Sequence, residues 1–232
     1  MDKASTHPTC IGLILDGNRR YAKEQGQLTL RGHEAGLENL ERILEALMVR
    51  AVPHIACYAF STENWRRDTL EVDGLMRLFV KGAPRLEKFL LLHGRRGETA
   101  IRFCGQLERF AIDAQNIMRA IESRNPEHPA TTIWLLLSYG GHAEIVHAAQ
   151  EAQRQGEDIT EESIARNLWT CDMPAPDMII RTGGEERLSG FLLWQSAYSE
   201  LFFTKTLWPA FSEQELDAMI VEYTTRKRRF GT

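Results

Sequence analysis

The chain has 232 residues, 43% of them apolar and 26% charged, with a formal net charge of −4. These values predict a folded protein that buries a core without disulfides or a structural metal, and they exclude disordered, collagen-like and coiled-coil chains. The acidic balance argues against nucleic-acid binding, and no apolar run nears the roughly 20 residues of a transmembrane helix, which leaves at most peripheral membrane contact.

Short apolar runs alternate with amphipathic stretches along the chain. The predicted strands span residues 9–15, 54–60, 100–104, 131–137, 177–181 and 201–203. The predicted helices span residues 33–50, 71–92, 107–124 and 142–155, with a last helix opened by a capping box of Ser212 and Glu215. This alternation predicts an α/β fold, a single domain over 1–232 with a mostly parallel sheet flanked by helices.

The cysteines and the first eight residues indicate in which cellular compartment the protein resides. Cys10, Cys57, Cys104 and Cys171 form no CxxC pair, so we expect four buried thiols in a reducing cytoplasm. Residues 1–8 lack the apolar stretch of a secretion signal, which agrees with a cytoplasmic location.

Polar, glycine-rich or arginine-rich sequence follows four of the predicted strands. These segments are residues 16–21, 61–67, 138–142 and 181–187. Ligands of open parallel sheets bind outside the carboxyl ends of the strands. The four segments together therefore predict one composite site for anions.

The residue types narrow the chemistry to phosphate. Five arginines of these segments suit phosphate oxygens; they are Arg19, Arg20, Arg67, Arg181 and Arg187. Gly17, Gly183 and Gly184 permit backbone conformations that aim N–H groups at an anion, and a helix that begins just after Asn18 would add its positive end. Asp16 would repel phosphate, and a bridging Mg²⁺ resolves that conflict. The residues thus predict a Mg²⁺–diphosphate site.

Each of these features also has a purely structural interpretation. Asp16 is equally compatible with a helix N-cap, Gly183-Gly184 with a turn, and His33 with a hydrogen-bonded histidine at a helix start. Asn64-Trp65 is compatible with a turn that carries a packed aromatic ring. Residues 226–229 are compatible with a solvated cationic helix end.

Six motifs occur together in one order. They are DGNRRYAKEQG from Asp16, GHEAG from Gly32, YAFSTENWRR from Tyr58, SYGGHAEI from Ser138, IRTGGEERLSGFLLWQSAYSELFF from Ile180 and LWP from Leu207. On these motifs, the chain from His7 to Arg-Arg-Phe-Gly at 228–231 resembles the cis-prenyltransferases, the family of undecaprenyl and dehydrodolichyl diphosphate synthases. The resemblance implies a mostly parallel six-stranded sheet, a hydrophobic tunnel for the prenyl chain, Mg²⁺ dependence and usually a homodimer.

The resemblance also implies roles for individual residues. Asp16 and Glu200 would hold Mg²⁺, with Glu200 reaching the site from the partner subunit's side, and Asn64 would help position or remove the departing proton. The allylic diphosphate would lie against Gly17, Asn18, Arg19, Arg20 and His33, and the homoallylic diphosphate against Arg67, Arg181, Arg187 and Ser189. Ser61 and Trp65 would lie with Asn64 on a mobile loop at the reacting centre. Further substrate contacts are expected from Tyr21, Thr29, Arg31, Thr62, Glu63 and Leu188.

Two positions depart from the family pattern. Thr29 stands where the family usually has an arginine on the allylic diphosphate, with Arg31 as a candidate replacement. Residues 134–138 read Trp-Leu-Leu-Leu-Ser where small residues and an asparagine are usual. Of these bulky residues about half should face the tunnel, because the side chains of a strand alternate. A crowded tunnel predicts a short product, on the order of two to four isoprene units.

Several functions remain open on the sequence alone. The leading one is cis addition that yields a short-chain prenyl diphosphate from isoprenoid diphosphate substrates. The alternatives are head-to-middle coupling of two allylic diphosphates to a lavandulyl-type product, long-chain polyprenyl synthesis, and a non-catalytic scaffold subunit. The retained Asp16 and Glu200 argue against a scaffold.

Overall fold

The computed structural model describes residues 7–93 and 98–226. The strands in this part are β1 (Cys10–Ile14), β2 (His54–Ser61), β3 (Thr99–Cys104), β4 (Thr131–Tyr139), β5 (Met178–Arg181) and β6 (Glu200–Phe203). The α-helices are α1 (Asn18–Glu24), α2 (Thr29–Val49), α3 (Thr69–His93), α4 (Ile112–Glu122), α5 (Gly141–Arg154), α6 (Glu161–Asn167) and α7 (Glu213–Thr225). The Arg-Arg-Phe-Gly motif at 228–231 lies outside the described residues.

All the strands pair in parallel in one six-stranded sheet of order β3-β4-β2-β1-β5-β6. The predicted α/β fold with a parallel sheet is therefore confirmed. The four strands followed by polar sequence, β4, β2, β1 and β5, are consecutive neighbours in this order. Their carboxyl ends form one continuous edge, which brings the four polar segments together.

Each face of the sheet packs its own apolar cluster. Ile133, Leu135 and Leu137 of β4 join the larger cluster, which also contains buried residues of α2, α3, α4 and α7. Trp134 and Leu136, the intervening residues, pack on the opposite face. This alternation follows from the pleat of a strand, whose successive side chains point to opposite sides.

Close packing of α1 against α2 explains the glycines of the GHEAG motif. A Cβ at Gly32 would lie 2.0 Å from the Asn18 carbonyl oxygen, and one at Gly36 would lie 2.3 Å from Asn18 Oδ1. Since Gly32 and Gly36 are one helical turn apart, they share one face of α2. That face fixes α1, and with it the segment after β1.

Three features differ from the sequence predictions. The helix predicted over 107–124 is instead a short 3₁₀ helix (Leu107–Arg109) followed by α4, because Phe110 turns into the core and interrupts the helix. The helix α6, with its Thr160 and Ser163 capping box, was not predicted. Cys171 is exposed, whereas the other three cysteines are buried as expected.

In the described ranges we find no helix with the length and apolar content needed to cross a bilayer.

Candidate active site

A basic pocket lies at the carboxyl edge of the sheet, between the start of α1, the start of α2 and Arg67. It is an open cavity of about 780 Å³. The residues that line it are Leu15, Asp16, Gly17, Asn18, Arg19, Arg20, Lys23, Gly26, Gln27, Thr29, His33 and Arg67. Four side chains of this set are permanently cationic and one is anionic, so the pocket favours an anionic ligand.

Asp16 is the anionic group of the pocket. Its carboxylate accepts hydrogen bonds from Arg181 Nη2 at 2.9 Å and from Arg20 Nη2 at 3.3 Å. The N-cap of α1 is Gly17, with φ of 116°, so the interpretation of Asp16 as a helix cap is wrong. A carboxylate has about four lone-pair directions. With two of them used by arginines, Asp16 keeps the capacity to bind a cation.

Arg181 is buried and connects Asp16 to the segment after β5. Its Nη1 donates to Ser189 Oγ at 2.7 Å and to the Arg187 carbonyl. A charge with 4% exposure needs such partners to offset its lost hydration. Arg181 therefore fixes both the Asp16 carboxylate and the Arg187–Ser189 backbone.

Gly183 and Gly184 do not aim their N–H groups at a ligand. Both have positive φ, and their N–H groups donate to the carbonyls of Thr206 and Thr204. The prediction that these two glycines bind an anion through the backbone is wrong for this reason. Gly183 instead permits close approach, since a Cβ there would lie 2.6 Å from Arg20 Nη2.

Glu71 of α3 holds three basic side chains of the site together. Its Oε1 lies 2.9 Å from Arg67 Nη1, 3.5 Å from His33 Nε2 and 3.8 Å from Arg19 Nε. Sequence reasoning missed Glu71, although it lies in the first turn of α3, only four residues after Arg67. The carboxylate offsets part of the repulsion among the converging cations.

The protonation of His33 should make stability depend on pH. Burial, followed by the nearby Arg67, holds the pKa of His33 below its ordinary value of 6.5, although Glu71 opposes this shift. The unfolded chain then binds more protons than the folded chain as pH falls below about 6.5, so the free energy of unfolding decreases there. We expect His33→Gln to lose less stability than the wild type between about pH 7.5 and 5.5 in urea titrations. Equal losses would contradict this assignment.

The segment after β2 forms a short 3₁₀ helix, Thr62–Arg66. The Ser61 N–H donates to Asn64 Oδ1 at 3.0 Å, and Trp65 Nε1 donates to Ser138 Oγ at 2.8 Å. Trp65 also packs edge-on against Phe60 and Phe110. The interpretation of this segment as a turn with a packed aromatic is thus confirmed, and the turn lies at the carboxyl edge of the sheet. Thr62 and Glu63 contact each other through a hydrogen bond of 3.1 Å.

An apolar cavity of about 140 Å³ opens beside the basic pocket, between the sheet, α2 and α3. Both spaces are lined by Leu15, Asn18 and His33, so they adjoin at these residues. The other lining residues are Gly36, Leu37, Leu40, Ala59, Phe60, Leu75, Met76, Leu78, Phe79, Gly82, Ala83, Leu86, Phe110, Leu135, Leu137 and Trp208. A cationic pocket that leads into an apolar cavity suits a molecule with an anionic head and an apolar tail.

Comparison with known proteins identifies the family. The prenyltransferase family model, described as undecaprenyl diphosphate synthase, matches residues 14–231. The chain belongs to the undecaprenyl diphosphate synthase family. It is 40% identical to an isoprenyl transferase of Thermus thermophilus over 99% of this chain and 90% of that protein. It is also 40% identical to an isoprenyl transferase of Wolinella succinogenes over 95% of each chain.

Solved structures of cis-prenyltransferases share the fold. Lavandulyl diphosphate synthase from Lavandula x intermedia, in complex with dimethylallyl diphosphate, superposes with a TM-score of 0.91 at 29% identity, covering 98% of this chain and 99% of that one. A probable undecaprenyl diphosphate synthase from Campylobacter jejuni superposes with a TM-score of 0.81 at 26% identity, covering all of both chains. As a member of this family, the chain is an enzyme of prenyl transfer.

Three residues near the donor side of this prenyltransferase lie in different surroundings. Arg31, the candidate replacement for the arginine missing at Thr29, pairs with Glu34 at 2.7 Å and is 69% exposed, outside the residues that line the basic pocket. Lys23 lines that pocket and was not predicted, although it lies one helical turn after Arg19. Tyr21 lies on the side of α1 that faces Gly183 and Gly184.

Three of the expected contacts for the second diphosphate, Arg181, Arg187 and Ser189, lie together beside Asp16. The fourth, Arg67, instead lines the basic pocket. Arg187 is exposed and pairs with Glu185, and Leu188 packs against the smaller apolar cluster. Ser189 has a positive φ of 50° and accepts from Arg181. The structure therefore brings Arg181, Arg187 and Ser189 together.

Glu200 lies away from this site within one chain. It is the first residue of β6, in register with Met178 and, through β5, with Ile11. Asp16 is five residues beyond Ile11, so the two carboxylates are separated by roughly 16 Å along the strands. Glu200 Oε2 instead accepts from Arg226 Nη1 at 2.7 Å.

The bulky residues of β4 divide between two environments. Leu135 and Leu137 line the apolar cavity, whereas Trp134 and Leu136 pack on the opposite face of the sheet. Trp134 donates through its ring nitrogen to His54 Nδ1 at 3.3 Å. Trp134 and Leu136 are therefore not among the residues that could crowd a prenyl chain in the apolar cavity.

Proposed function

We propose that the protein catalyses Mg²⁺-dependent transfer of an allylic diphosphate onto a second isoprenoid diphosphate and releases a short-chain prenyl diphosphate. The observation that carries this proposal is that the basic pocket and the apolar cavity adjoin at Leu15, Asn18 and His33. The family supplies the reaction type. The two adjoining spaces supply a place for the head and the tail of one donor molecule.

The donor diphosphate would occupy the basic pocket. Arg19, Arg20 and Lys23 line it from α1, and His33 and Arg67 complete it from the other side. When the allylic carbon–oxygen bond breaks, negative charge develops on the leaving diphosphate, and preorganised cations stabilise that charge. Lys23 and Arg19 line the same pocket as Thr29 and would supply positive charge there.

The donor set around Asp16 fits Mg²⁺. The described ranges contain no group of three acidic, histidine or cysteine side chains that could hold a metal, but Mg²⁺ is commonly bound by one or two carboxylates together with substrate phosphates and water. Asp16 is 32% exposed in its side chain and opens onto the pocket. Bound there, the ion would supply Lewis-acid stabilisation of the leaving diphosphate.

The acceptor diphosphate would lie on the other side of Asp16, against Arg187 and Ser189. Arg181 contacts both Asp16 and Ser189, so it would hold the two substrates in a fixed relation. Asn64, Ser61 and Trp65 would close over the reacting carbons and exclude water, which would otherwise quench the allylic cation.

A homodimer would complete the metal site. Because Glu200 is far from Asp16 within one chain, it can assist Mg²⁺ at Asp16 only from a second copy or after a large rearrangement. The partner copy is therefore part of this proposal. We also propose that the enzyme is cytoplasmic and makes at most peripheral contact with a membrane.

Head-to-middle coupling of two allylic diphosphates is the second candidate. The observations that favour it are the TM-score of 0.91 with a lavandulyl diphosphate synthase and the presence of Thr29 in the donor pocket. Both candidates use the same Asp16 and basic residues. They differ in whether a homoallylic diphosphate is consumed.

Product analysis separates these functions. The protein is incubated with Mg²⁺ and dimethylallyl, geranyl or farnesyl diphosphate, each with and without isopentenyl diphosphate, and dephosphorylated products are identified by mass spectrometry and NMR. A short linear product that requires isopentenyl diphosphate supports the proposal. A branched product from dimethylallyl diphosphate alone supports the second candidate, and chains beyond about ten units overturn the short-chain assignment.

Arg187→Ala tests the acceptor subsite. Removing this exposed guanidinium is expected to raise the acceptor KM by about tenfold or more and to change the donor KM by less than about twofold. Steady-state kinetics with each substrate varied in turn measures the split. Arg154→Ala is the matched control, since Arg154 is an exposed arginine paired with Glu151 on α5, remote from the site. Equal changes in both KM values would contradict two separate subsites.

A further inference from the structure

An ion pair joins α2 to α3 beside the apolar cavity, at the end remote from the basic pocket. Arg85 Nη2 donates to Glu41 Oε2 at 2.7 Å. The Glu41 side chain is only 10% exposed, and its Oε1 is buried with no hydrogen-bond partner among the described residues. A buried, half-satisfied carboxylate is costly, so its location calls for a reason beyond stability.

The walls that α2 and α3 contribute to the cavity end at about the level of this pair, although neither Glu41 nor Arg85 lines the cavity itself. Its lining on α2 runs from His33 to Leu40, and its lining on α3 runs from Leu75 to Leu86. Glu41 directly follows Leu40, and Arg85 directly precedes Leu86. A tail that grows from the basic pocket therefore reaches the level of this pair last.

The middle of α3 is both tightly packed and weakened at this level. A Cβ at Gly82 would lie 2.8 Å from Leu37 Cδ2, so the two helices approach closely there. Pro84 lies inside α3. Since proline lacks an N–H, the helix loses one hydrogen bond to the carbonyl four residues earlier and can bend there. The segment of α3 before Pro84 carries Glu71 and most of the α3 residues that line the cavity.

We infer that the Glu41–Arg85 pair is a length-determining clamp, which holds α3 against α2 at Pro84 and closes the far end of the cavity to a longer prenyl chain. This inference rests on the proposed function, because it assumes a prenyl tail in the apolar cavity. Both side chains act through the position of α3, so they are specificity-determining positioning residues.

Loosening the clamp tests it. Arg85→Met keeps an apolar side chain and removes the ion pair, but it leaves the Glu41 carboxylate unpaired. The double variant Glu41→Leu/Arg85→Met removes that buried charge as well. In both we expect products longer by about one isoprene unit or more, because packed walls resist even small additions. We also expect amide exchange of residues 75–86 to be about tenfold faster.

Arg124→Met is the matched control. Arg124 pairs with Glu87 of α3 at 2.7 and 2.8 Å but comes from the segment after α4, so its loss leaves the α2–α3 contact intact. Product length in this variant should equal that of the wild type. Faster exchange in both clamp variants with unchanged product length would overturn the inference, and so would equal lengthening in Arg124→Met.

The test separates the clamp from the function on which it rests. Long chains from the wild type would refute the short-chain assignment, while the difference between wild type and Arg85→Met would still test the clamp. If the wild type transfers no prenyl group, the proposed function fails. In that case unchanged exchange of α3 in the variants would refute the clamp independently.

Discussion

Replacing Asp16 by asparagine is expected to lower turnover by at least about a hundredfold, roughly 2.7 kcal/mol of activation free energy, while the fold persists. The amide oxygen can still accept from Arg181, whose guanidinium is buried and held by Asp16 at 2.9 Å. The variant therefore removes the negative charge that a Mg²⁺ ion needs but keeps the local hydrogen bond. Turnover is measured at saturating substrates over a range of Mg²⁺ concentrations, with circular dichroism as the check on folding.

The choice of asparagine over alanine follows from the geometry. Alanine would leave the buried Arg181 guanidinium without a hydrogen-bond acceptor at this position, so lost activity and lost structure would be confounded. Asp217→Asn is the matched control, because Asp217 pairs with Arg50 through both carboxylate oxygens on the surface of α7. Its turnover should be unchanged. Turnover of Asp16→Asn within about tenfold of wild type, roughly 1.4 kcal/mol, would contradict a metal role for Asp16.

The strands were predictable because their signal is local. Residues buried on both faces of a parallel sheet form short apolar runs, so the bounds of β1 to β5 differ from prediction by one or two residues. The helix break at Phe110 was not predictable in this way. Its cause is tertiary, since Phe110 packs against Trp65 and Phe60 from a distant part of the chain.

The candidate site was predictable only where its residues follow strands. Asp16 and Arg181 lie directly after β1 and at the end of β5, and the parallel sheet brings them together. Lys23 and Glu71 face the same site from helices, where the sequence does not reveal which face turns inward. Glu200 shows that residues of one sequence motif need not lie together in the fold. It belongs to the same motif as Arg181 but lies at the opposite end of the sheet.

Replacing Leu137 by alanine is expected to lengthen the product by about one isoprene unit, because the cavity gains the space of three carbon atoms. Leu137 lines the apolar cavity together with Leu135, on the wall formed by β4. Ala59 on β2 is already small, so the bulk on this wall comes from the two leucines. Mass spectrometry of the dephosphorylated products measures the change.

Leu136→Ala is a control matched in residue type, strand and burial. Leu136 is fully buried, but its side chain packs against the smaller cluster on the opposite face of the sheet. Both substitutions should destabilise the fold by about 2–5 kcal/mol, as buried leucine-to-alanine changes commonly do. A general loosening of the protein would therefore lengthen the product in both variants. Lengthening confined to Leu137→Ala assigns the effect to the cavity wall, whereas equal product lengths in the two variants would contradict the placement of the growing chain in this cavity.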